Sequence, residues 1–122
     1  MERIEEFKVG DRDFLYIDLS HFLKNEEFAE FAEMVKPIIA EHEEHSLYTI
    51  TNIEDVRFDS KSKGLIVSFL VHNKPYVKYA AVIGLDGIKK MMVSTAAKLS
   101  GRGNIHFAFT KEQAIEWLLK QD

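Results

Sequence analysis

The sequence predicts a single α/β domain built on a mostly parallel sheet of about five strands. Three observations carry this. Short runs rich in Ile, Val, Thr and aromatic residues alternate with longer segments of helical periodicity from residue 20 onward. Turn and stop residues (Gly10-Asp11, Asn73-Lys74-Pro75, Gly101, Gly103) punctuate them. The length of 122 residues suits one domain, which buries roughly two thirds of its unfolded surface. The expected order over residues 1–122 is β-β-α-β-α-β-α-β-α, made of successive right-handed βα units. A short antiparallel strand is expected at the N-terminal edge.

Each element has its own reason. Ile4–Val9 and Phe14–Leu19 flank the Gly10-Asp11 turn and read as a hairpin. Asn25 precedes Phe28, Phe31, Ala32, Val35 and Ile39 at helical spacing, and acidic residues fill the first turn, where the helix dipole favours them. Pro37 lies inside this pattern and is expected to kink the helix or split it in two. Leu47–Ile53 is the next strand. Residues 60–72 form a second helix carrying Leu65, Ile66, Phe69 and Leu70. Tyr79–Gly84 is the most apolar strand, as expected where both faces are covered. Asp86 caps a third helix with Ile88, Met91, Met92, Thr95 and Leu99 as its apolar stripe. Ile105–Phe109 is the last strand, and Thr110 with Gln113 forms a capping pattern for the closing helix.

Alternation within strands separates two faces. Leu15, Ile17 and Leu19 make one side of the second strand apolar, while Phe14, Tyr16 and Asp18 make the other mixed. The last strand puts Ile105, Phe107 and Phe109 on one side and His106 and Ala108 on the other. The mixed side is therefore expected to be thinly covered. It and the edge strands offer a route to a homodimer.

Composition narrows the function classes. Cysteine is absent, so disulfides, thiol catalysis and thiolate metal sites are excluded. No apolar run is long enough for a transmembrane helix, and the acidic N-terminal residues lack the basic start and apolar core of a secretory signal. A cytoplasmic location is the expectation. The net charge of −4 is uneven: residues 1–55 hold 15 Asp/Glu against 5 Lys/Arg, and residues 56–122 hold 11 Lys/Arg against 5 Asp/Glu. A basic half can attract phosphates or an acidic partner, or simply complement the acidic half within the fold. The cations are scattered without an aromatic platform, so nucleic acid is not an expected partner.

Few residue groups suggest chemistry. His42-Glu43-Glu44-His45 spaces its histidines i, i+3 rather than the i, i+4 of helical zinc sites, and no third ligand accompanies it, so no metal is expected. No nucleophile–base set or cofactor motif compels an enzyme. Lys89 and Lys90 fall in the first turns of the third helix, where cations oppose the dipole, and are candidates for holding an anion. Phe69, Met91, Met92 and Thr95 are candidates for lining an apolar pocket. The stretch "VRFDSKSKGLIVSF" (56–69) places Asp59, Ser60 and Ser62 before an apolar run, each able to cap the second helix, with Arg57, Lys61 and Lys63 as candidate anion-binding cations.

"LYIDLS" (15–20), "RFDS" (57–60), "HNKPYVKYAAVIGLDGIKK" (72–90), "LSGRGNIHFAF" (99–109) and "KEQAIEWL" (111–118) together resemble the SpoIIAA-like superfamily, in its uncharacterised bacterial and archaeal STAS/CRAL-TRIO-like branch. The resemblance spans nearly the whole chain. It implies a non-enzymatic protein-interaction or regulatory module. In the STAS antagonists a Ser at the start of the second helix is phosphorylated by a partner kinase, and the matching positions here are Asp59-Ser60. This chain continues Lys61-Ser62-Lys63-Gly64 where the antagonists turn to small and apolar residues. The related lipid-transfer branch implies the alternative of a small apolar ligand or lipid carrier, with Lys89 or Lys90 holding an anionic head group.

Overall fold

A computed structural model describes residues 3–122. Its elements run β1 (Ile4–Val9), β2 (Arg12–Asp18), α1 (Asn25–Ala40), β3 (Leu47–Asn52), α2 (Ser62–Asn73), β4 (Val77–Ile83), α3 (Gly87–Leu99), β5 (Ile105–Phe107) and α4 (Lys111–Leu119). The five strands pair in sequence order, with β1–β2 antiparallel and every later pair parallel. This is the predicted architecture.

The pleat divides the core in two. Leu15, Thr49, Ala80 and Ile105 stand in register across β2–β5, as do Ile17, Thr51, Val82 and Phe107. These rows face α1, α2 and α3, whose Phe28, Phe31, Val35, Ile39, Ile66, Phe69, Val93 and Ala96 complete the larger core. Tyr48, Ile50, Ala81 and Ile83 face the other way and pack against Ala114, Trp117 and Leu118 of α4.

The second face is thus a core of its own under one helix. Its centre is an aromatic ladder. Phe7, Phe14, Tyr48 and Tyr79 are successive cross-strand neighbours on β1–β4, with ring centroids 5.2, 5.5 and 6.4 Å apart. Trp117 closes it edge-on against Tyr79 at 5.9 Å. Such pairs add about 0.5–1.5 kcal/mol each beyond area burial. Arg12 fastens the end of α4: its Nη1 donates to the Leu118 carbonyl at 2.7 Å while its guanidinium lies over the Tyr48 ring.

Three expectations change. Helix α1 runs through Pro37 as one segment and is not split in two. Pro37 is exposed, so the carbonyl of Glu33 that loses its donor is offered to water rather than buried. Strand β5 ends at Phe107, and Phe109 leaves the expected apolar face with 89% of its surface exposed. The third concerns α3. Its buried residues are Val93, Ala96 and Ala97, while Ile88, Met91 and Leu99 point outward at 78%, 72% and 61% exposure. Small alanines let α3 approach its neighbours closely, so the bulky stripe faces solvent.

Candidate functional site

The loop from β3 into α2 is built by hydrogen bonds to α1 as well as within itself. The Arg57 amide donates to the Phe22 carbonyl at 3.0 Å. Asp59 then closes a tight turn: its Oδ1 accepts the Lys61 amide at 2.8 Å, and its carbonyl accepts the Ser62 amide at 3.1 Å. Ser62 Oγ accepts the Asp59 amide at 2.8 Å and donates to Asn25 Oδ1 at 3.0 Å, while Asn25 Nδ2 donates to Asp59 Oδ1 at 2.8 Å. One side chain from the start of α1 therefore ties both ends of the turn. Asn25, expected ahead of its helix, is the first residue within it.

None of the three candidate capping residues caps α2 with its side chain, because Lys61 holds the N-cap position and the bonds close the turn before it. Asp59 and Ser62 take the bonds, and Ser62 is buried at 3% exposure. The hydrogen bonds from Asn25 first, then from the Lys61 amide, hold the Asp59 carboxyl below the usual carboxylate range. Ser60 makes no side-chain hydrogen bond among the described residues, so it does not cap the helix, and it is exposed. Arg57, Lys61 and Lys63 around it are exposed and take no ion pair among the described residues. Beside Ser60 a shallow groove of about 380 Å³ runs between the first turns of α1 and α2, lined by Asn25, Glu26, Ala29, Lys61, Gly64 and Leu65.

The other sequence candidates are placed elsewhere. Lys89 turns back on its own helix start. Its amide donates to the Asp86 carboxylate at 2.9 Å, its Nζ lies 3.9 Å from the same carboxylate, and Nζ also reaches the Ile53 carbonyl at 3.4 Å. The helix N-terminus thus already has an anion, from Asp86. Lys90 stands over the Phe107 ring at 5.5 Å and lines an open cleft of about 320 Å³ with Phe107 and Phe109. The expected pocket set does not converge. Phe69 is buried against the sheet, Met92 is half-buried, Met91 is exposed, and the exposed Thr95 hydroxyl donates to the Met91 carbonyl at 3.0 Å. His42 sits between Glu6 (3.3 Å) and Asp13 (4.0 Å), and His45 is turned into the left-handed region at φ 52°. Among the described residues no group of three His, Asp or Glu side chains gathers at metal-ligand spacing.

Two features lie beyond the sequence reading. His21 and Asp55, both in the left-handed region, form an exposed pair at 3.2 Å where β2 and β3 end. Arg102 is buried at 7% exposure with no acidic partner among the described residues. Nothing in the run Ser100-Gly101-Arg102-Gly103 marks that arginine as interior.

The fold is SpoIIAA-like. An uncharacterized protein with a SpoIIAA-like fold from Shewanella loihica PV-4 superposes with a TM-score of 0.69 at 14% identity, over 94% of this chain and 91% of that one. The anti-sigma factor antagonist SpoIIAA in its unphosphorylated form gives 0.60 at 18% identity, over 98% of both chains. An anti-sigma-factor antagonist (STAS) domain protein from Planctomyces limnophilus gives 0.57 at 11% identity, over 94% and 97%. No family model matches the chain, and no curated protein does either. Among the described residues no helix is long and apolar enough to cross a membrane.

Proposed function

We propose that this chain is a non-enzymatic interaction module regulated at the loop and first turn of α2, with Ser60 as its phosphoacceptor. The observation that carries this is the division of labour between two serines. Ser62 is buried and bonded at both lone pair and proton, whereas Ser60 is exposed and makes no bond. A kinase needs a hydroxyl that is free to enter its active site, and the hydrogen bonds of the turn do not compete for this one. The likeness in fold to an anti-sigma factor antagonist supports the class.

The mechanism is a charge switch. Phosphate on Ser60 adds about −1.5 to −2 charges at a helix start. The dipole and the unpaired Arg57, Lys61 and Lys63 favour that charge. It would also alter the groove beside Lys61 and Gly64, where a partner's side chains can seat.

The test is mass spectrometry of protein isolated from its native host, paired with binding of co-purifying partners to wild type and Ser60→Asp. Modification at Ser60 and loss of a partner on Ser60→Asp are expected. An unmodified Ser60 in every growth condition, together with unchanged partner binding by Ser60→Asp, overturns the proposal.

A further inference from the structure

Strand β1 forms one edge of the sheet, and among the described residues nothing pairs with its outer side. Its register with β2 decides which backbone groups face outward. In an antiparallel pair, hydrogen bonds join alternate opposed residues. The Asp18 amide donates to the Arg3 carbonyl at 2.8 Å, one step beyond the opposed pair Ile4 and Ile17. Glu5, Phe7 and Val9 therefore bond to β2 as Arg3 does. The N–H and C=O groups of Ile4, Glu6 and Lys8 point away from the sheet.

This edge lacks most of the devices that keep strands from pairing. Ile4 to Val9 oppose β2 without a bulge, and the strand holds no proline. Its two faces differ. Phe7 is the outermost ring of the aromatic ladder, 5.2 Å from Phe14 and with the Lys111 ammonium over it at 5.5 Å. No ring among the described residues lies beyond it. On the other face Glu6 lies 3.3 Å from His42, and Lys8 lies 2.7 Å from Asp13. The Glu6 and Lys8 side chains are 55% and 69% exposed.

The geometry points to a second copy of this chain as the partner of β1, paired antiparallel about a two-fold axis through Phe7. Charge selects that register. A two-fold pairing sets one residue against itself at its centre. Centred on Glu5, Glu6 or Lys8, it opposes like charges. Centred on Ile4 or Val9, only part of the strand overlaps. Centred on Phe7, it sets Glu6 against the partner's Lys8 and Lys8 against the partner's Glu6. These residues have outward backbone groups, so each pair also exchanges both hydrogen bonds. Lys8 then stands between its own Asp13 and the partner's Glu6. The edge lysine that blunts other pairings thus supports this one. Phe7 meets the partner's Phe7 as a non-bonded pair, the closer kind, and the aromatic ladder runs on from one copy into the next. Glu5 faces the partner's Val9 and keeps Lys111 at 3.5 Å. The contact is isologous and closes at two copies, so it makes a dimer rather than a fibre.

Sedimentation equilibrium of the full chain, with a cysteine scan, tests this. Wild type is expected to show monomer and dimer only, from micromolar to millimolar concentration. The chain has no cysteine, so single replacements report pairing without background. Phe7→Cys places two thiols on a directly opposed non-bonded pair, with Cα atoms about 4.5 Å apart and within disulfide reach. Glu6→Cys and Lys8→Cys place theirs on diagonal neighbours, about 7–8 Å apart and past that reach. Mild oxidation is expected to cross-link the first variant and neither of the others. Glu6→Lys and Lys8→Glu change exposed side chains, so they test the register even if Phe7→Cys does not fold. Each is expected to weaken association by about tenfold, because both symmetry-related pairs turn repulsive. Mixing the two variants restores unlike charges across the axis, and a mixed dimer of wild-type strength is expected. A monomeric wild type, cross-linking at Glu6 or Lys8 as ready as at Phe7, undiminished association of either charge variant, or a mixture that stays monomeric each overturn the assignment. None of these readouts involves Ser60, so they stand or fall apart from the regulatory proposal.

Discussion

His106 on β5 lies flat against Trp117 on α4, with ring centroids 4.2 Å apart and planes 4° from parallel. The contact joins the last strand to the helix that covers the second face. Burial holds the His106 imidazole below its ordinary value of 6.5. In the folded chain the neutral ring is therefore favoured, and between that lowered value and 6.5 the unfolded chain binds more protons. Stability rises with pH across this window and falls as the solution is acidified through it. Trp117 is the only tryptophan, so its fluorescence reads the contact directly. A fluorescence titration with a midpoint below 6.5 is expected, and His106→Phe should remove it. A midpoint at or above 6.5 contradicts the burial argument.

The two serines of the α2 loop should respond oppositely. Ser62→Ala leaves the Asp59 amide and Asn25 Oδ1 without their buried partner and is expected to cost about 1–3 kcal/mol. Ser60→Ala touches no bond and should stay within about 0.5 kcal/mol of wild type. Urea unfolding of both variants checks the contrast. A larger loss at Ser60 than at Ser62 would reverse the assignment of roles.

Asp59 gives the same loop an acid limit. Its folded-state carboxyl is held below 3.8 by Asn25 and the Lys61 amide, so its contribution is present above 3.8 and is lost as pH falls through the lower folded value. Amide exchange at Lys61 and Ser62 should accelerate in that acidic range. Asn25→Ala should move the Asp59 titration upward, toward 3.8. An unmoved carboxyl titration in that variant would deny the bond its role.

Gly84 ends β4 at φ 80°, and a Cβ there would lie 2.5 Å from the Glu54 amide nitrogen and 2.7 Å from Asn52 Oδ1. Backbone cannot yield as a flexible side chain does. Gly84→Ala should cost at least about 2 kcal/mol, through the left-handed backbone and the collision together. Thermal unfolding measures it. Gly10, also at positive φ but with open space around it, should lose less on the same change.

Leu118 of α4 is fully buried and sits in the smaller core. Leu118→Ala should cost about 2–5 kcal/mol and redden the Trp117 emission as α4 loosens. A loss under about 1 kcal/mol would mean that the second face does not depend on its single helix.

Much of this protein is legible in order along the chain. Period-two and period-3.6 apolar patterns, the Gly10 turn, the Asp86 and Thr110 caps and the stop at Pro75 are local signals, and together they determine the element order and the parallel sheet. Helix α1 shows this best, since its five predicted apolar residues are the five that are buried. What a local signal lacks is the identity of the neighbour. Helix α3 has an apolar stripe and a small-residue face, and only packing against the rest of the core selects Val93, Ala96 and Ala97 to face inward. Ser60 and Ser62 are equivalent as letters before a helix. Asn25, 37 positions before Ser62, engages one and leaves the other free. Arg102 lies between two stop-signal glycines, yet its side chain is buried and donates to the Leu70 carbonyl near the end of α2. Sequence by itself determined the elements and their order, because backbone conformation follows near neighbours. Tertiary structure decided which polar groups are free, because that depends on where distant segments meet.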